Sequence, residues 1–516
     1  APGDRMLVRA SFKRPQGSRT RGTFDYPFHL AVEGITVTGF ARSPLFFARL
    51  PNAPKGGAAT LFHHAERLRS HLAEAIDNAL PQQNAALFRA LLLGDRSGVP
   101  PPLLDAFKGA GILHLFAISG LHLGVIATLL YLLCYHLLSR SENLLLFTPV
   151  HLAAVCATLP PLLFYAVLTG LNPPVLRALA MVFVVAFAVT LRRITSPSTL
   201  VAAAALLLLF FNPLRLFTAS FQLSFTAVWA IFMLLPLIRP LVKKRTSLLA
   251  TVVCRTAAAL LISIGITLCT APLTIFHFQR FSPIGPVVNL LVEPLLCILA
   301  LPLAMTALPF LLLAPSLGQL LLEAASVPLE AGVQLAQWAA ALPGASLRLS
   351  AATPWFGGGC LLFYCALGLL CSGTFVTRWG AAGNRAGRLS APLLPGLLVL
   401  ALTPLFFFHG GPETGRIVFI DVGQGSSTLV QTADGFRVLV DGGGGFFTRN
   451  LGERSIAPCL WSSGISHLDA IVATHSDRDH TGAIPFLVRT FKPKVLYLRD
   501  IDEDDRAVTR MRQAAA

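Results

Sequence analysis

The feature that most constrains the fold of this 516-residue chain is the stretch from residue 111 to residue 409, which is apolar almost throughout and contains only four acidic residues. Over the whole chain 54% of the residues are hydrophobic and 13% are charged, a composition typical of a membrane protein. It excludes a secreted, fibrous or disordered protein. Because one membrane-spanning helix needs about 20 apolar residues, the stretch has room for about ten such helices. We expect the spans at residues 111–138, 144–168, 174–191, 198–212, 215–236, 248–276, 284–313, 317–342, 354–376 and 392–409.

The basic residues between these spans predict the orientation of the chain. Connections with odd numbers, counted from the N-terminus, carry ten Lys and Arg residues, whereas the even-numbered ones carry three if Arg215 at the start of the fifth span is included. Cytoplasmic loops are enriched in Lys and Arg, so the odd connections are expected in the cytoplasm. With ten spans, both soluble ends are then expected outside the cytoplasm.

The two ends of the chain have soluble-protein patterns. Residues 1–59 alternate apolar and polar positions, which predicts a small β module with strands at Met6–Phe12, Phe28–Val32 and Ile35–Phe40. In residues 60–110 the period changes to that of amphipathic helices, at His64–Leu80 and Asn84–Leu93, which we expect at the membrane surface.

Residues 410–516 have the pattern of a soluble α/β domain, and their 12 basic and 13 acidic residues leave them without a cationic bias. The strand and helix patterns alternate as in a layered sheet with helices packed on it. The predicted strands are Ile417–Val422, Ser427–Thr432, Phe436–Val440, Leu468–Ala473 and Lys494–Leu498, and the predicted helix is Ala483–Phe491.

A cluster of potential metal ligands follows the fourth predicted strand of this domain. His475, Asp477, Asp479 and His480 lie within six residues, and imidazole and carboxylate are ligands of borderline divalent metals. The sequence therefore predicts a metal site here, with Asp479 and His480 as the catalytic pair. Two further strand ends carry an aspartate beside a glycine-rich turn, and we expect them to form structural turns near the site: Asp421 with Gly423 and Gly425, and Asp441.

The motif His475-x-Asp477-x-Asp479-His480 resembles the H-x-H-x-D-H signature of metallo-β-lactamase-type hydrolases. The resemblance implies that residues 410–516 are the first half of an αββα domain that binds Zn²⁺ or Mn²⁺. Asp477 stands where many members have His, and the additional carboxylate favours a harder ion such as Mn²⁺. The later ligands of a two-metal site would lie beyond Ala516, so we expect the chain to be a fragment whose metal site and catalytic site are incomplete.

Five strings in the remaining chain carry a second resemblance: Leu91–Arg96, Leu115–Gly124, Thr169–Ala178, Phe221–Phe225, and Phe281–Pro283 with Asn289. In this order they resemble the competence domain of the ComEC family of DNA-uptake channels. The resemblance implies a location in the bacterial cytoplasmic (inner) membrane, an OB-like fold for residues 1–59 and a channel for single-stranded DNA in residues 111–409. It also implies a nuclease role for the hydrolase-like domain in natural transformation.

Polar side chains inside the apolar spans are candidates for a DNA path. His122, Arg177, Gln222 and Asn289 are costly to expose to lipid, so they are expected to face a bundle interior or a hydrated route. For Gln222 and Asn289 the alternative is hydrogen bonding between helices, and for Arg177 it is snorkelling to the interface. Gly120 and Gly124 have the small-xxx-small spacing, which predicts close helix packing.

The N-terminal module carries a set of cations that predicts contact with a nucleic acid. The set alternates with apolar residues and forms a surface that can follow a phosphate backbone and stack bases. Its members are Arg5, Arg9, Lys13, Arg14, Arg19 and Arg21, and the first four are the predicted DNA-binding residues. A solvated face or a contact with anionic lipid is the alternative. The chain contains no P-loop motif, so an ATP-driven motor and the proteins that deliver DNA would be separate partners.

Three functions are compatible with these patterns. The first is translocation of single-stranded DNA with an attached metal-dependent nuclease. The second is a membrane-embedded metallohydrolase that acts on another phosphodiester or on a lipid-like substrate, and the third is a channel whose hydrolase-like domain is a structural appendage.

The orientation inferred from the basic loops gives the first testable prediction. A reporter enzyme that is active only outside the cytoplasm should work when it is fused after Gly410 and fail when it is fused after Lys243. The measurement is reporter activity in whole cells at matched expression. The reverse pattern would contradict the predicted orientation.

Overall fold

In the computed structural model the chain forms two compact units. The first unit contains residues 1–11, 39–271 and 282–347, and the second contains residues 12–38, 272–281 and 348–516. The described residues are 6–50, 58–116, 118, 120–142, 146, 149–193, 196–243, 247–349, 359–360, 363–364, 414–444, 451–499 and 506–515.

Short strands and one helix make up the N-terminal residues. The strands are β1 (Met6–Val8), β2 (Ser11–Lys13), β3 (Thr38–Phe40) and β4 (Phe47–Arg49), and β1 pairs antiparallel with β4. The prediction of a strand at Phe28–Val32 is wrong, because these residues belong to helix α1 (Tyr26–Val32). The Asp25 side chain accepts a hydrogen bond from the Phe28 amide, and Pro27 lies in the first turn, so both residues favour a helix start.

The first unit is helical. Among the described residues, five helices or helical segments are long and apolar enough to cross a membrane: Gly120–Leu138, Val150–Leu168, Pro173–Thr190, Leu248–Phe278 and Gly285–Leu313. Residues 272–278 of the fourth are assigned to the second unit. The expected number of ten spans stays a prediction. Its last two spans, 354–376 and 392–409, lie outside the described residues apart from positions 359–360 and 363–364. The other helices of this unit are Ala58–Ala79, Gln82–Phe88, Pro101–Gly109, Pro197–Phe211, Ala219–Val242 and Pro315–Ala341.

The predicted amphipathic segment 84–93 lies in the core of the first unit. Leu87, Phe88 and the three leucines from Leu91 to Leu93 are completely buried. The Asn84 amide donates a hydrogen bond of 2.5 Å to Glu330 Oε1, which satisfies a polar group on the buried face. The helix changes to π-helical geometry over Arg89–Leu93 and ends at Gly94, whose φ of 74° is left-handed. A position at the membrane surface stays a prediction for residues 60–110.

The second unit contains a five-stranded sheet with the order β11-β10-β9-β8-β7. Its strands are β7 (Arg416–Phe419), β8 (Thr428–Gln431), β9 (Arg437–Val440), β10 (Ala470–Ala473) and β11 (Val495–Leu498), and each lies inside a predicted strand or begins one residue before it. The first three strands form an antiparallel meander, and the turn between β8 and β9 contains Asp434-Gly435, a dipeptide typical of hairpins. Strand β10 runs parallel to both β9 and β11.

Helices pack on this sheet and complete an apolar core. Leu429, Leu439 and Ile471 from the strands are completely buried. Leu487 and Phe491 from a helix pack in the same core and are at most 1% exposed. The helices are Ala457–Ser462, Arg478–Thr481, Ile484–Phe491 and Arg506–Ala515. The carboxyl ends of the parallel strands β9 and β10 meet at one edge, where Asp441 and Thr474 follow directly.

Asp469 fixes the opposite end of the parallel strands. Its carboxylate accepts hydrogen bonds from Lys494 Nζ at 2.8 Å and from the Arg437 amide at 2.9 Å. The hydrogen bond from Lys494 lowers the pKa of this carboxyl below its usual range. The carboxylate therefore joins the segments that lead into β9, β10 and β11.

Two glycines of the first unit provide a test of its packing. A Cβ added at Gly318 would lie 2.5 Å from the backbone nitrogen of Leu311 in the preceding helix. One added at Gly124 meets nothing within 4 Å, so the prediction of close helix packing is wrong at this glycine. We expect Gly318→Ala to destabilise the protein by about 1–3 kcal/mol, because the two helices must move apart. Gly124→Ala should instead be neutral or stabilise the helix by about 0.5–1 kcal/mol. Thermal unfolding in detergent is the measurement, and an equal effect of the two substitutions would contradict the packing described here.

Candidate active site

Asp441 is the centre of a hydrogen-bonded cluster at the carboxyl end of β9. It is 3% exposed, and its amide donates to the Val472 carbonyl, so the ladder between β9 and β10 continues to this residue. Its carboxylate accepts hydrogen bonds from the amide and the hydroxyl of Thr474, at 2.9 Å each. The same carboxylate lies 2.8 Å from Nδ1 of His480. The φ of Asp441 is 61°, a left-handed conformation that aspartate tolerates better than most residues.

These contacts indicate which nitrogen of each imidazole acts as the donor. A carboxylate accepts hydrogen bonds, so Nδ1 of His480 donates to Asp441, and in the neutral form of the ring Nε2 keeps a lone pair. The Thr474 hydroxyl has one proton, which it donates to Asp441, and it therefore accepts from Nδ1 of His475 at 2.9 Å. Both histidines consequently present Nε2 as the nitrogen that can act as a ligand.

The four predicted ligands lie close together as two pairs. His475 Nε2 is 3.5 Å from Asp477 Oδ2, and His480 Nε2 is 3.9 Å from Asp479 Oδ2. The centroids of the two imidazole rings are 3.8 Å apart. Each free imidazole nitrogen thus faces a carboxylate oxygen.

The donor atoms of these four residues are of the kinds that bind a divalent cation. Their positions bring them close together in pairs but not around a single point. Two neutral imidazoles and two carboxylates are a donor set for Zn²⁺ or Mn²⁺, and an imidazole whose other nitrogen donates to a carboxylate is the usual arrangement around a bound metal. In the described part of the chain, however, no three His, Cys, Asp or Glu side chains are close enough together to hold one ion. His475, Asp477, Asp479 and His480 therefore remain candidate ligands.

The predicted structural turns lie directly against the motif. Asp421 follows β7, and its Oδ1 accepts a hydrogen bond from the Gly423 amide. Gly425, with a φ of 100°, approaches the motif so closely that an added Cβ would lie 1.9 Å from the Asp479 carbonyl oxygen. Gly444 is equally close to the Arg478 carbonyl oxygen. The glycines allow both loops to pack on the backbone that carries the motif.

The hydrolase-like domain, residues 410–516, also contains Cys459, which is not a candidate nucleophile. This cysteine is 2% exposed, and burial raises the pKa of its thiol. The thiol therefore stays protonated at neutral pH.

The polar residues expected along a DNA path lie on four different helices of the first unit. His122 is completely buried, and its Nε2 lies 3.3 Å from Sγ of Cys297, which is also buried. Gln222 donates to the Leu216 carbonyl at 3.1 Å. Within the described residues, Oδ1 of Asn289 is buried without a hydrogen-bond partner.

Arg177 has the most distinctive environment of these residues. Its Nη1 donates to Ser220 Oγ at 2.7 Å, and within the described part of the chain its buried Nε has no hydrogen-bond partner. The guanidinium is thus a buried cation with one nitrogen left for a further hydrogen-bond acceptor, which favours the approach of an anion.

The N-terminal cations have separate environments. In the first unit, the guanidinium of Arg9 lies over the ring of Phe46, 5.6 Å from its centroid. In the second unit, Lys13 and Arg14 are exposed. Arg5 lies outside the described residues.

Sequence reasoning missed Thr474, Ser220 and Cys297. The position of Thr474 directly before the first motif histidine was a usable signal, because a hydroxyl there can reach the neighbouring strand end. Ser220 and Cys297 gave no signal, since a serine or cysteine in an apolar helix has no pattern that identifies its partner.

Comparison with known proteins gives a match for the apolar region and another for the C-terminal domain. Residues 91–374 match the model of the competence protein family, and residues 420–512 match that of the metallo-beta-lactamase superfamily. No solved structure matches this chain.

Three curated relatives are similar over most of the chain. ComE operon protein 3 of Bacillus subtilis (strain 168) is 28% identical over 96% of this chain and 60% of its own length. Competence protein ComA of Neisseria gonorrhoeae is 30% identical over 77% of this chain and 51% of its own length. Recombination protein 2 of Haemophilus influenzae is 24% identical over 91% of this chain and 58% of its own length. The chain thus spans between half and three-fifths of the length of these relatives.

The match to the competence model covers more than half of the 516 residues and includes the apolar helices of the first unit, and the superfamily match falls on the sheet that carries the histidine motif. This chain belongs to the competence protein family and carries a metallo-beta-lactamase superfamily domain.

Proposed function

We propose that this protein translocates single-stranded DNA across the bacterial inner membrane. The environment of Arg177 is the observation that supports this most directly. A phosphate backbone carries a charge at every nucleotide and needs a hydrated or cationic route through hydrocarbon. Arg177 lies in one of the five membrane-length helices, and within the described residues its buried Nε has no hydrogen-bond partner. His122, Gln222 and Asn289 are proposed to lie along the same route.

We further propose that the hydrolase-like domain is a metal-dependent nuclease. His475, Asp477, Asp479 and His480 would hold the metal, and Asp441 would orient His480 through its Nδ1 proton. A divalent ion bound there would supply a Lewis acid and a water of lowered pKa. Asp479 and His480 are the proposed catalytic pair, and Zn²⁺ and Mn²⁺ are both compatible with their donor atoms.

The orientation and the partners belong to the same proposal. Both soluble ends would lie outside the cytoplasm, because the basic connections would lie inside it. The N-terminal module would be OB-like and would use Arg5, Arg9, Lys13 and Arg14 to bind the strand. A separate ATP-driven motor and DNA-delivery proteins would act with this protein, which would also contact membrane lipid.

One observation favours a second candidate, in which the hydrolase-like domain is a non-catalytic appendage of the channel. Within the described residues no three potential ligands are close enough to hold one metal ion. The metal content of the purified protein separates the two candidates, because an appendage would bind no stoichiometric metal.

The metal proposal predicts how three substitutions should behave. His480→Ala should abolish stoichiometric metal binding, because it removes a ligand and leaves the neighbouring carboxylates poorly neutralised. Asp441→Asn should lower metal affinity by about 10–100-fold, because an amide orients His480 less strongly than a carboxylate does. His467→Ala, a substitution of an exposed histidine in the same unit, is the control and should bind metal normally. Metal analysis of the purified proteins is the measurement, and normal metal content in His480→Ala would contradict the assignment.

The translocation proposal predicts a loss of DNA uptake in Arg177→Leu. Uptake should fall by about tenfold or more, because a barrier higher by about 1.4 kcal/mol already slows passage tenfold. Arg177→Lys should retain part of the uptake. The matched control is Arg193→Leu, an exposed arginine just beyond the end of the same helix. Uptake of labelled single-stranded DNA at equal expression is the measurement.

The same assay tests whether transport and hydrolysis are separable. Asp479→Ala should remove nuclease activity and leave uptake of single-stranded DNA intact. Normal uptake in Arg177→Leu would make Arg177 a packing or lipid-contacting residue, and loss of single-stranded uptake in Asp479→Ala would show that the two functions are not separable.

A further inference from the structure

Residues 18–22, which we call the strap, pack on the hydrolase-like domain within the second unit, although about 400 positions separate the two segments in sequence. The Asp421 amide donates to Thr20 Oγ1 at 2.8 Å, and the Arg19 amide donates to Asp421 Oδ2 at 3.1 Å. Ser18 Oγ donates to the Asp421 carbonyl at 3.4 Å. Three successive strap residues thus hold one aspartate by its amide, its carboxylate and its carbonyl.

The end of the strap is anchored at Gly22. The Arg21 carbonyl accepts from Ser462 Oγ, and the Gly22 carbonyl accepts from Gln279 Nε2, both at 3.3 Å. Gly22 has a φ of 82°, and an added Cβ would lie 2.5 Å from the Ser462 side chain and 2.6 Å from the Pro458 carbonyl oxygen. Only glycine therefore fits at this position of the docked strap.

Contacts lead from the strap to the histidine motif. Asp421 begins the loop that ends at Gly425, and Gly425 packs directly on the Asp479 carbonyl. The backbone of Arg19 is thus fixed on a residue whose loop borders the candidate metal ligands.

The charge of this segment is the second observation. Residues 12–22 contain four basic residues and no acidic one, whereas residues 410–516 contain 12 basic and 13 acidic residues. Arg19 and Arg21 are exposed. The hydrolase-like domain alone offers a polyanion little attraction, and the strap supplies cations that can bind phosphate groups.

From this juxtaposition we propose that the strap is part of the substrate site of the hydrolase-like domain, with Arg19 as a residue that binds the phosphate backbone of the strand beside the motif. Thr20 and Gly22 are positioning residues that hold Arg19 there. The proposal rests on the proposed nuclease function.

The docking itself is tested first, with two glycine substitutions that are alike except for their surroundings. Gly22 and Gly34 both have a φ near 80°, but an added Cβ at Gly34 meets nothing within 4 Å. Hydrogen exchange should show that the Asp421 amide exchanges faster in Gly22→Ala than in the unsubstituted protein, and at an unchanged rate in Gly34→Ala. Thr20→Val should also speed this exchange, and Thr20→Ser should restore it. Unchanged exchange in both Gly22→Ala and Thr20→Val would overturn the docked strap.

The role of Arg19 is tested by binding, which does not depend on cleavage. In an Asp479→Ala background, the affinity for a single-stranded oligonucleotide is measured by fluorescence anisotropy at several salt concentrations. Loss of one phosphate contact should reduce the slope of log K against log salt by about 0.7. We expect this change in Arg19→Ala and in Gly22→Ala. Arg42→Ala, an exposed arginine outside the strap, should leave the slope unchanged.

Kinetics then separates this proposal from the proposed nuclease. If the unsubstituted protein cleaves DNA, Arg19→Ala should raise KM by about tenfold with kcat nearly unchanged, and Arg19→Lys should restore part of KM. An unchanged KM together with an unchanged salt slope would overturn the role of Arg19 while leaving the nuclease intact. If the unsubstituted protein has no metal-dependent cleavage, the nuclease proposal fails, and so does the proposal that Arg19 contacts its substrate. The exchange experiment still decides whether the strap is docked.

Discussion

The absence of water in the hydrocarbon core of a membrane is the constraint on which the first unit depends. Each backbone amide and carbonyl at that depth needs a partner within the protein, and helices supply it locally. Polar side chains meet the same requirement, and they do so in pairs: Asn84 with Glu330, His122 with Cys297, and Arg177 with Ser220. Among the described residues, the buried Nε of Arg177 and Oδ1 of Asn289 are two atoms at which this rule is incompletely satisfied, and an anionic substrate would complete it at Arg177.

In the second unit, one buried carboxylate has a comparable influence. Asp441 joins the ends of two parallel strands, sets the position of a threonine hydroxyl and fixes the proton of an imidazole. Parallel strands end at the same edge of a sheet, so residues far apart in sequence meet there without a special loop. The geometry of the histidine motif therefore depends on the register between β9 and β10.

The sequence predicted the elements of the second unit well because its signals are local. Alternating apolar residues, the Asp434-Gly435 turn and the ligand string each lie within a few positions of one another. The helix at Tyr26–Val32 was mistaken for a strand because the apolar alternation was given more weight than the Asp25 cap and Pro27. The surface character assigned to Asn84–Leu93 did not anticipate that Leu87, Phe88 and Leu91 to Leu93 are completely buried. Burial of this kind depends on which helices pack around a segment, and a single sequence does not encode that in any short pattern.

The features of the candidate site can also be divided into those that local sequence patterns reveal and those that only the fold creates. The ligand string and the nearby turns were visible in the sequence, because glycines and aspartates at strand ends have a direct physical meaning. The links from Thr474 to Asp441 and from Thr20 to Asp421 were not, since each joins residues that are brought together only by the fold.

The separation between the two partners of the strap has a consequence for biosynthesis. The Thr20 hydroxyl is synthesised before its partner, the Asp421 amide, which is 401 residues further along the chain. At a synthesis rate of about 5–20 residues per second, the strap precedes its binding surface by roughly 20–80 seconds. The apolar helices lie between the two segments in sequence, so they are synthesised during that interval. Docking of the strap therefore cannot begin until the membrane segment between the two partners has been made.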